Sequence, residues 1–275
     1  MTIHRRLRCA LSVLLFGAAL ASCAQDRSIV LASTTSTQDS GLFDELLPRF
    51  TQQTGIVVKV VAQGTGQALE TARRGDADVV LVHAKAQEER FVADGDGVRR
   101  FPVMYNDFVL IGPQRDPAKV RGAADVVAGF RAIATTRSTF VSRGDQSGTH
   151  LAELALWREA DIDIARNPGP WYESIGQGMG AALNTAAAQS AYVLSDRATW
   201  MAFRNKGELA VLVEGDARLF NQYGVILVNP ARHPHVRAAD GQAFIDWLLS
   251  PAGQAAIAEF RVGGQQVFFP NADRR

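Results

Sequence analysis

Short apolar runs alternate along this chain with longer stretches in which apolar residues recur at helical spacing. Ser28-Ile29-Val30-Leu31-Ala32 is β-rich, the hydroxyl-bearing Ser33-Thr34-Thr35-Ser36-Thr37 follows, and residues 42–51 then place Leu42, Phe43, Leu46, Leu47 and Phe50 on one helical face. The order predicted is strand, loop, helix. Pro48 is expected to kink this helix or shift its start, and Gly55 to stop it. The pattern repeats, with residues 56–62 a strand, Gly64-Thr65-Gly66 a turn and residues 67–74 a helix ending at Gly75. Residues 78–83 form a third strand, apolar enough to be buried on both faces of a parallel sheet. Alternating units of this kind predict an α/β doubly wound fold.

A further strand over residues 103–112 runs into Pro113-Gln114-Arg115-Asp116-Pro117, which marks a crossover to a second lobe. There Phe140-Val141-Ser142 delivers a polar loop, Arg143-Gly144-Asp145-Gln146-Ser147-Gly148-Thr149, to a helix over residues 150–159. The alanine-rich residues 181–188 read as helix, residues 192–194 and 209–213 as strands. Residues 225–228 return the chain to the first lobe, and residues 243–260 supply closing helices. Lobe 1 is then 23–112 plus 219–275 and lobe 2 is 113–218, with hinge crossings near Gly112-Pro113 and within residues 215–223. Phe101, Phe108, Trp247 and Phe260 fall on periodic apolar faces and read as core. Trp171, Tyr172 and Tyr192 read as aromatic packing, with cleft lining as the alternative.

The amino-terminal segment changes the picture of where the protein works. Arg5, Arg6 and Arg8 precede an apolar run, residues 11–21, that is too short to span a membrane stably, which is the pattern of a signal peptide over residues 1–22. It ends in Leu20-Ala21-Ser22-Cys23, the arrangement cut by a lipoprotein signal peptidase before the cysteine is acylated. Lipidation at Cys23 is the leading expectation, ordinary cleavage after Ala24 the alternative, and both give an exported protein. The other cysteine, Cys9, lies in the removed segment, so the mature chain has no internal disulfide and rests on its core. Removing three arginines turns the formal charge from +1 to −2 (26 basic minus 28 acidic residues). Without a global basic field, an anion has to be held by local donors, and nucleic-acid binding is not expected.

Three polar loops share one property: each puts hydroxyls and small residues where backbone NH groups at a helix start lack partners, a setting that attracts anions. Oxygen-rich dianions have only acceptors, so their pocket should offer donors. Thr34, Thr35, Ser36, Thr65, Ser147 and Thr149 all donate, and Gly64, Gly66 and Gly148 admit close backbone approach. Arg143 adds a permanent cation whose fork suits two oxyanion oxygens, and Asp145 is placed to orient it. Singly, each loop reads as an ordinary cap or turn, and Arg143 with Asp145 as a surface ion pair. Three such loops, two in one lobe and one in the other, point to a site.

These segments resemble the tungstate-binding proteins of ABC importers, within the two-lobed periplasmic binding proteins of type II, whose lobes are each a mainly parallel sheet flanked by helices. The likeness rests on residues 31–42, Gly64-Thr65-Gly66-Gln67-Ala68, residues 78–84 and residues 142–149. It continues through Tyr172, Gln177-Gly178-Met179-Gly180 and Ser195-Asp196-Arg197, covering nearly the whole mature chain. Ser33 stands where the family usually has threonine. The resemblance implies that Thr34 and Ser36 meet the anion from the first lobe and Arg143, Ser147 and Thr149 from the second, with Thr65 and Thr35 as further donors. It also implies an ABC permease as partner, a monomer held near the membrane only by a lipid, no cofactor beyond the oxyanion itself and no bare metal ion. Phosphate-binding proteins look similar over residues 143–149, so that segment indicates an oxyanion without saying which. Phosphate carries a proton near neutral pH and requires an acceptor. The loops at 34–37 and 64–66 contain no carboxylate, which favours a fully deprotonated ligand; the resemblance makes tungstate the leading one, with molybdate, vanadate or phosphate as alternatives and Asp39 and Asp145 as the residues that bear on the choice.

A serine hydrolase is the competing class, since Gly144-Asp145-Gln146-Ser147-Gly148 has a serine between glycines and His150 or His83 is a formal base. The spacing departs from a Gly-x-Ser-x-Gly elbow, because Asp145 and Thr149 occupy the glycine positions. The expectation is therefore a non-enzyme, with both histidines buried or capping. Arg143-Gly144-Asp145 as an adhesion tripeptide reads as chance. His233-Pro234-His235 lacks the spacing of a metal site and reads as solvent-exposed.

Overall fold

The first apolar run forms β1 (Ser28–Thr34), and the hydroxyl loop after it winds into a short helix, α1 (Thr35–Asp39), capped by Thr34. The computed structural model describes residues 27–272, so the signal segment and Cys23 lie outside the described residues. Helix α2 (Leu42–Thr54) buries Leu42, Phe43, Leu46 and Phe50 and ends at Gly55. Pro48 lies inside it without breaking it. Its ring is on the exposed face, where the Asp44 carbonyl that it deprives of a partner reaches water. Then come β2 (Val57–Gln63), α3 (Thr65–Arg73), β3 (Val79–Val82), α4 (Lys85–Ala93) and the long β4 (Gly97–Pro113).

The second lobe holds α5 (Val126–Thr136), β5 (Phe140–Ser142), α6 (Gly148–Glu159), β6 (Tyr172–Ser174), α7 (Met179–Gln189), β7 (Tyr192–Asp196), α8 (Arg197–Ala202) and β8 (Leu209–Val213). A 3-10 turn (Ala217–Leu219) leads into β9 (Phe220–Val228). The first lobe is completed by α9 (Ala238–Leu249), α10 (Pro251–Glu259), the small hairpin β10 (Arg261–Val262) and β11 (Gln265–Gln266), and β12 (Phe269–Pro270).

Strand order is β2-β1-β3-β9-β4 in the first lobe and β6-β5-β7-β4 in the second, so the same winding occurs twice around a shared strand. Each sheet is parallel on its outer side, β1 with β2 and β3 and β5 with β6 and β7, and antiparallel where β4 and β9 enter. Strand β4 belongs to both sheets: it pairs with β9 up to Asp107 and with β7 from Phe108 onward. The outward crossing therefore falls between Asp107 and Phe108, earlier than the Gly112-Pro113 expected from the proline-rich segment. A strand that simply changes partners needs no turn to mark the change. Gly112 has another reason to be small: a Cβ there would lie 2.6 Å from the Tyr192 ring and 2.7 Å from Leu212. The return crossing lies at Leu219–Phe220, since Leu219 is in the second lobe's core and β9 pairs in the first lobe's sheet.

Each lobe has apolar clusters of its own. In the first, Phe50 stands edge-on to Phe244 at 5.0 Å and beside Trp247 at 5.5 Å, and Phe108 belongs instead to the second lobe, with Phe130, Phe140 and Trp157. Burying each such ring contributes about 2 to 3 kcal/mol, so neither lobe needs a covalent staple. Trp171 and Tyr172 pack edge-on around Trp157, and Tyr192 is fully buried with its hydroxyl donating to Asp116. All three are packing residues.

Candidate functional site

The loops that leave β1, β2 and β5 converge between the lobes. Thr65, first residue of α3, accepts the backbone NH of Gly148, first residue of α6, at 3.1 Å across the cleft. A Cβ on Gly64 would come within 3.5 Å of the Asp145 carbonyl, and one on Gly178 within 4.0 Å of the Thr35 hydroxyl. From α8, the Thr199 hydroxyl reaches the Ser36 carbonyl at 3.4 Å. Gly148 meets His83 most closely: a Cβ there would lie 2.9 Å from the imidazole ring and 3.1 Å from the His83 carbonyl.

Thr34, Ser36, Thr65, Arg143, Ser147 and Thr149 are all buried at this junction, and Thr35 is half-buried. Arg143 is 2% exposed and donates to Asp145 Oδ2 from Nε (3.1 Å) and Nη2 (2.5 Å), while Asp145 Oδ1 accepts the Ser147 NH. Burial opposes ionisation of Asp145, but its bonds with Arg143 and Ser147 win and hold the carboxyl below the usual carboxylate range. Arg143 thus keeps one face committed. Its Nη1 is buried without a hydrogen-bond partner among the described residues, and so is the Thr149 hydroxyl six residues on in the same loop. Gln146, between them, has φ 57°, a left-handed conformation that costs a non-glycine residue roughly 1 kcal/mol and marks a loop shaped by more than stability.

The other hydroxyls are partly spoken for. Ser147 caps α6 by accepting the His150 NH, and Thr34 caps α1, with its hydroxyl 2.7 Å from that of Thr37 and 3.2 Å from that of Ser36. Accepting an NH leaves each hydroxyl its own proton, which for Ser147 also faces the Asp145 carboxylate and for Thr34 the Thr37 and Ser36 hydroxyls. Behind them His83 is held on two sides, with Nε2 3.2 Å from Ser36 Oγ and Nδ1 3.1 Å from the Asn221 side-chain amide, which in turn bonds that of Asn106 at 2.6 Å. The Tyr223 ring stacks on His83 at 4.7 Å. Burial, with Arg143 adding to it, pushes the His83 imidazole down to about 4, so it is neutral at physiological pH. Burial raises Asp196, whose Oδ1 caps α8 and whose Oδ2 has no partner among the described residues.

Sequence reasoning missed the His83–Asn221–Asn106 chain, because its members come from β3, β9 and β4 and share no local pattern. It also treated His83 and His150 as possible bases for Ser147. Neither ring is hydrogen-bonded to the Ser147 hydroxyl: His150 Nδ1 takes the Gln146 NH, and His83 is engaged as above. His233 and His235 are more than solvated surface, since each ring bonds a carbonyl at the end of α3, Arg73 at 3.0 Å and Gly75 at 2.9 Å. No group of side chains that would hold a metal ion occurs among the described residues. A cavity of about 610 Å³ opens beside the site, sharing His83 and Gly148 with it and otherwise lined by Phe108, Leu151 and Phe220 among others.

The model of the PBP superfamily domain matches residues 21–252. The tungstate-binding protein TupA of Peptoclostridium acidaminophilum is 49% identical over 89% of this chain and 86% of its own length. Among solved structures, the tungstate-binding protein TupA from Desulfovibrio alaskensis G20 is 43% identical, covers 90% of this chain and 100% of its own, and superposes with a TM-score of 0.78. The tungstate ABC transporter structure from Geobacter sulfurreducens is 46% identical, covering 85% of this chain and 98% of its own at the same TM-score of 0.78. A family model spanning most of the chain and relatives this close over nearly full length settle membership: the chain belongs to the PBP superfamily and, within it, to the TupA family of tungstate-binding proteins.

Proposed function

We propose that this protein captures tungstate in the cleft between its lobes and delivers it to the permease of an ABC importer. The observation that carries the reading is the pair of buried, unpartnered donors in the second-lobe loop, Arg143 Nη1 and Thr149 Oγ1. An anion with nothing but acceptor oxygens satisfies both, and Thr34, Thr35, Ser36, Thr65 and Ser147 supply further donors at the same junction. Asp145 spends one oxygen on Arg143 and the other on the Ser147 NH, so the carboxylate of that loop is already engaged. Asp39 is exposed. That distribution favours a proton-free oxyanion over phosphate. The lobes close on the ligand by flexing where β4 changes sheets, at Asp107–Phe108, and where the chain returns, at Leu219–Phe220, and closure excludes water and strengthens each bond to the anion. The protein acts as a monomeric, non-enzymatic carrier with no cofactor. It works outside the cytoplasmic membrane and is tethered through a lipid on Cys23, which the intact mass of the membrane-extracted protein reads directly.

Isothermal titration calorimetry with tungstate, against molybdate, vanadate, sulfate and phosphate as competitors, tests the reading. Tight tungstate binding that sulfate and phosphate fail to displace is the expected result. Arg143→Gln removes a buried cation and strands Asp145, at a cost of about 2 to 5 kcal/mol, or at least thirtyfold in affinity. Affinity within a few-fold of the parent would place the site elsewhere.

A further inference from the structure

Strand β1 enters the first lobe at Ser28, on the side away from the cleft, and delivers Thr34 to the anion loops six residues later. The two ends of the lobe are therefore roughly 20 Å apart. Several segments of the chain meet at the far end. Val57, which opens β2, donates its NH to the Arg27 carbonyl at 2.9 Å, α3 and α4 finish there, and β9 hands the chain on to residues 229–237 and α9. Three residues, Ala24, Gln25 and Asp26, separate Arg27 from Cys23. Four peptide steps span at most about 14 Å, less than the length of the lobe. A lipid on Cys23 accordingly brings this end, and not the cleft, against the bilayer.

Charge at this end is layered. Asp78 faces inward, with Oδ2 accepting the Val30 NH and Oδ1 the Arg237 NH, both at 2.7 Å. Asp96 takes Arg73 on one oxygen and Arg232 on the other, and Asp240 takes Arg27. The side chains of Asp96 and Asp240 are 3% and 15% exposed, whereas those of Arg27 and Arg232 are 50% and 52% exposed. The exposed acids here, Asp76 and Asp94, are answered by Arg74 at 2.9 Å and Arg90 at 3.5 Å. Positive and negative groups nearly cancel in number, but the guanidinium groups lie outermost. Arginines in the last turns of α3 and α4 suit the helix dipoles. That explanation fails for Arg237, which is exposed at the N-cap of α9, where the dipole disfavours a cation. Val57 and Val98, the latter the second residue of β4, are 45% and 52% exposed at the same end.

Outward arginines, exposed apolar side chains and a tether at one place fit a layer of lipid phosphates over hydrocarbon. We propose that this end of the first lobe, with Arg27, Arg232 and Arg237 outermost and Val57 and Val98 beside them, is a docking surface for anionic phospholipid headgroups that holds the cleft facing away from the bilayer. The proposal rests on the reading that Cys23 carries a lipid, and it adds a second membrane contact where the resemblance alone implies the lipid only. The cleft then opens toward the compartment that supplies the anion. The contact has to be weak enough to break when the protein docks on its permease, which a few arginines satisfy.

Cys23 is the only cysteine left once residues 1–22 are removed, so the mature protein can be coupled through it to a maleimide lipid in vesicles. Arginine modification by phenylglyoxal, read by peptide mass spectrometry, reports which guanidinium groups the headgroups cover. On vesicles containing phosphatidylglycerol, Arg27, Arg232 and Arg237 should react at least roughly threefold more slowly than in the uncoupled protein. Arg166 of the second lobe, 89% exposed, should keep its rate, and about 0.5 M salt should abolish the difference. Equal rates for all four arginines, or the same protection on vesicles of phosphatidylcholine alone, overturn the proposal. Arg27→Gln combined with Arg237→Gln should strip the protection from Arg232 while leaving tungstate affinity unchanged, since both residues lie at the far end from the cleft. Protection that survives this double change overturns the proposal as well. Coupling supplies the tether whether or not a cell acylates Cys23, so the two failures are separate: unprotected arginines remove the surface, and an unmodified Cys23 in the intact mass of the membrane-extracted protein removes the lipid.

Discussion

Gly148→Ala isolates closure of the lobes from everything else. Gly148 is the first residue of α6, where its backbone conformation suits alanine, and replacing glycine in a helix by alanine favours the helix by up to about 1 kcal/mol. The second lobe alone should therefore be unharmed. In the closed form the new methyl group would lie 2.9 Å from His83 Cε1 and Nδ1 and 3.1 Å from the His83 carbonyl oxygen. The carbonyl belongs to backbone at the end of β3, and the ring is held by Ser36, Asn221 and Tyr223, so neither gives way easily. Relief requires the lobes to part by several tenths of an ångström, which strains the Gly148 NH bond to Thr65. Overpacking of this kind costs about 1 to 3 kcal/mol and a weakened hydrogen bond about 1 more. Only the closed, ligand-holding form bears the cost, so tungstate affinity should fall by roughly 30- to 700-fold, corresponding to about 2 to 4 kcal/mol. Titration calorimetry on the parent and the variant measures this, and scanning calorimetry of the ligand-free proteins should show equal or slightly higher Tm for the variant. A dissociation constant within threefold of the parent would refute the idea that this contact belongs to the bound state.

Two further variants probe the second lobe. Thr149→Ala removes a buried hydroxyl that has no partner among the described residues, so the ligand-free Tm should hold or rise while tungstate affinity drops roughly 3- to 10-fold; no loss of affinity in calorimetry would count against this hydroxyl as a donor. Glu153, 2% exposed, accepts from Trp157 Nε1 and the Tyr172 hydroxyl, and burial outweighs these bonds to push its carboxyl up to about 7. A carboxyl raised on folding stabilises the fold fully below about pH 4.5, and that contribution is lost as pH rises through 7. Glu153→Gln should thus gain on the parent by up to about 3 kcal/mol at pH 8 and match it near pH 4.5. Tm curves for the two that stay parallel across this range would contradict the raised carboxyl.

What the sequence disclosed is what local pattern encodes. The all-apolar Val79-Val80-Leu81-Val82 announced a strand buried on both faces, and the hydroxyl run after β1 announced a helix start. Arg143 stood out because a permanent cation sits between small residues at a strand end. The change of lobes along β4 was hidden, since Asn106, Asp107 and Phe108 continue one extended run and the switch lies in who pairs with them. Pro102 falls where the β4–β9 register shifts, between Pro102 and Met104, so a residue that usually argues against strand interiors is accommodated at an irregularity. The His83–Asn221–Asn106 chain was hidden for a different reason. Its contacts join residues 138 and 115 positions apart, and an asparagine on a strand carries no sign of which distant amide it will meet.

Because β4 hydrogen-bonds to both sheets, neither lobe can unravel without stripping an edge from the other. Melting the second lobe would expose the Phe108–Pro113 half of β4 and free β7 and β8 from it, and the break would run directly into the segment that β9 needs. The lobes are separate in their cores yet joined through one strand. The molecule should accordingly come apart in a single heat-absorption peak, with no state in which one half persists as an independent remnant. The same shared strand makes the chain a poor candidate for being split into two separately produced halves.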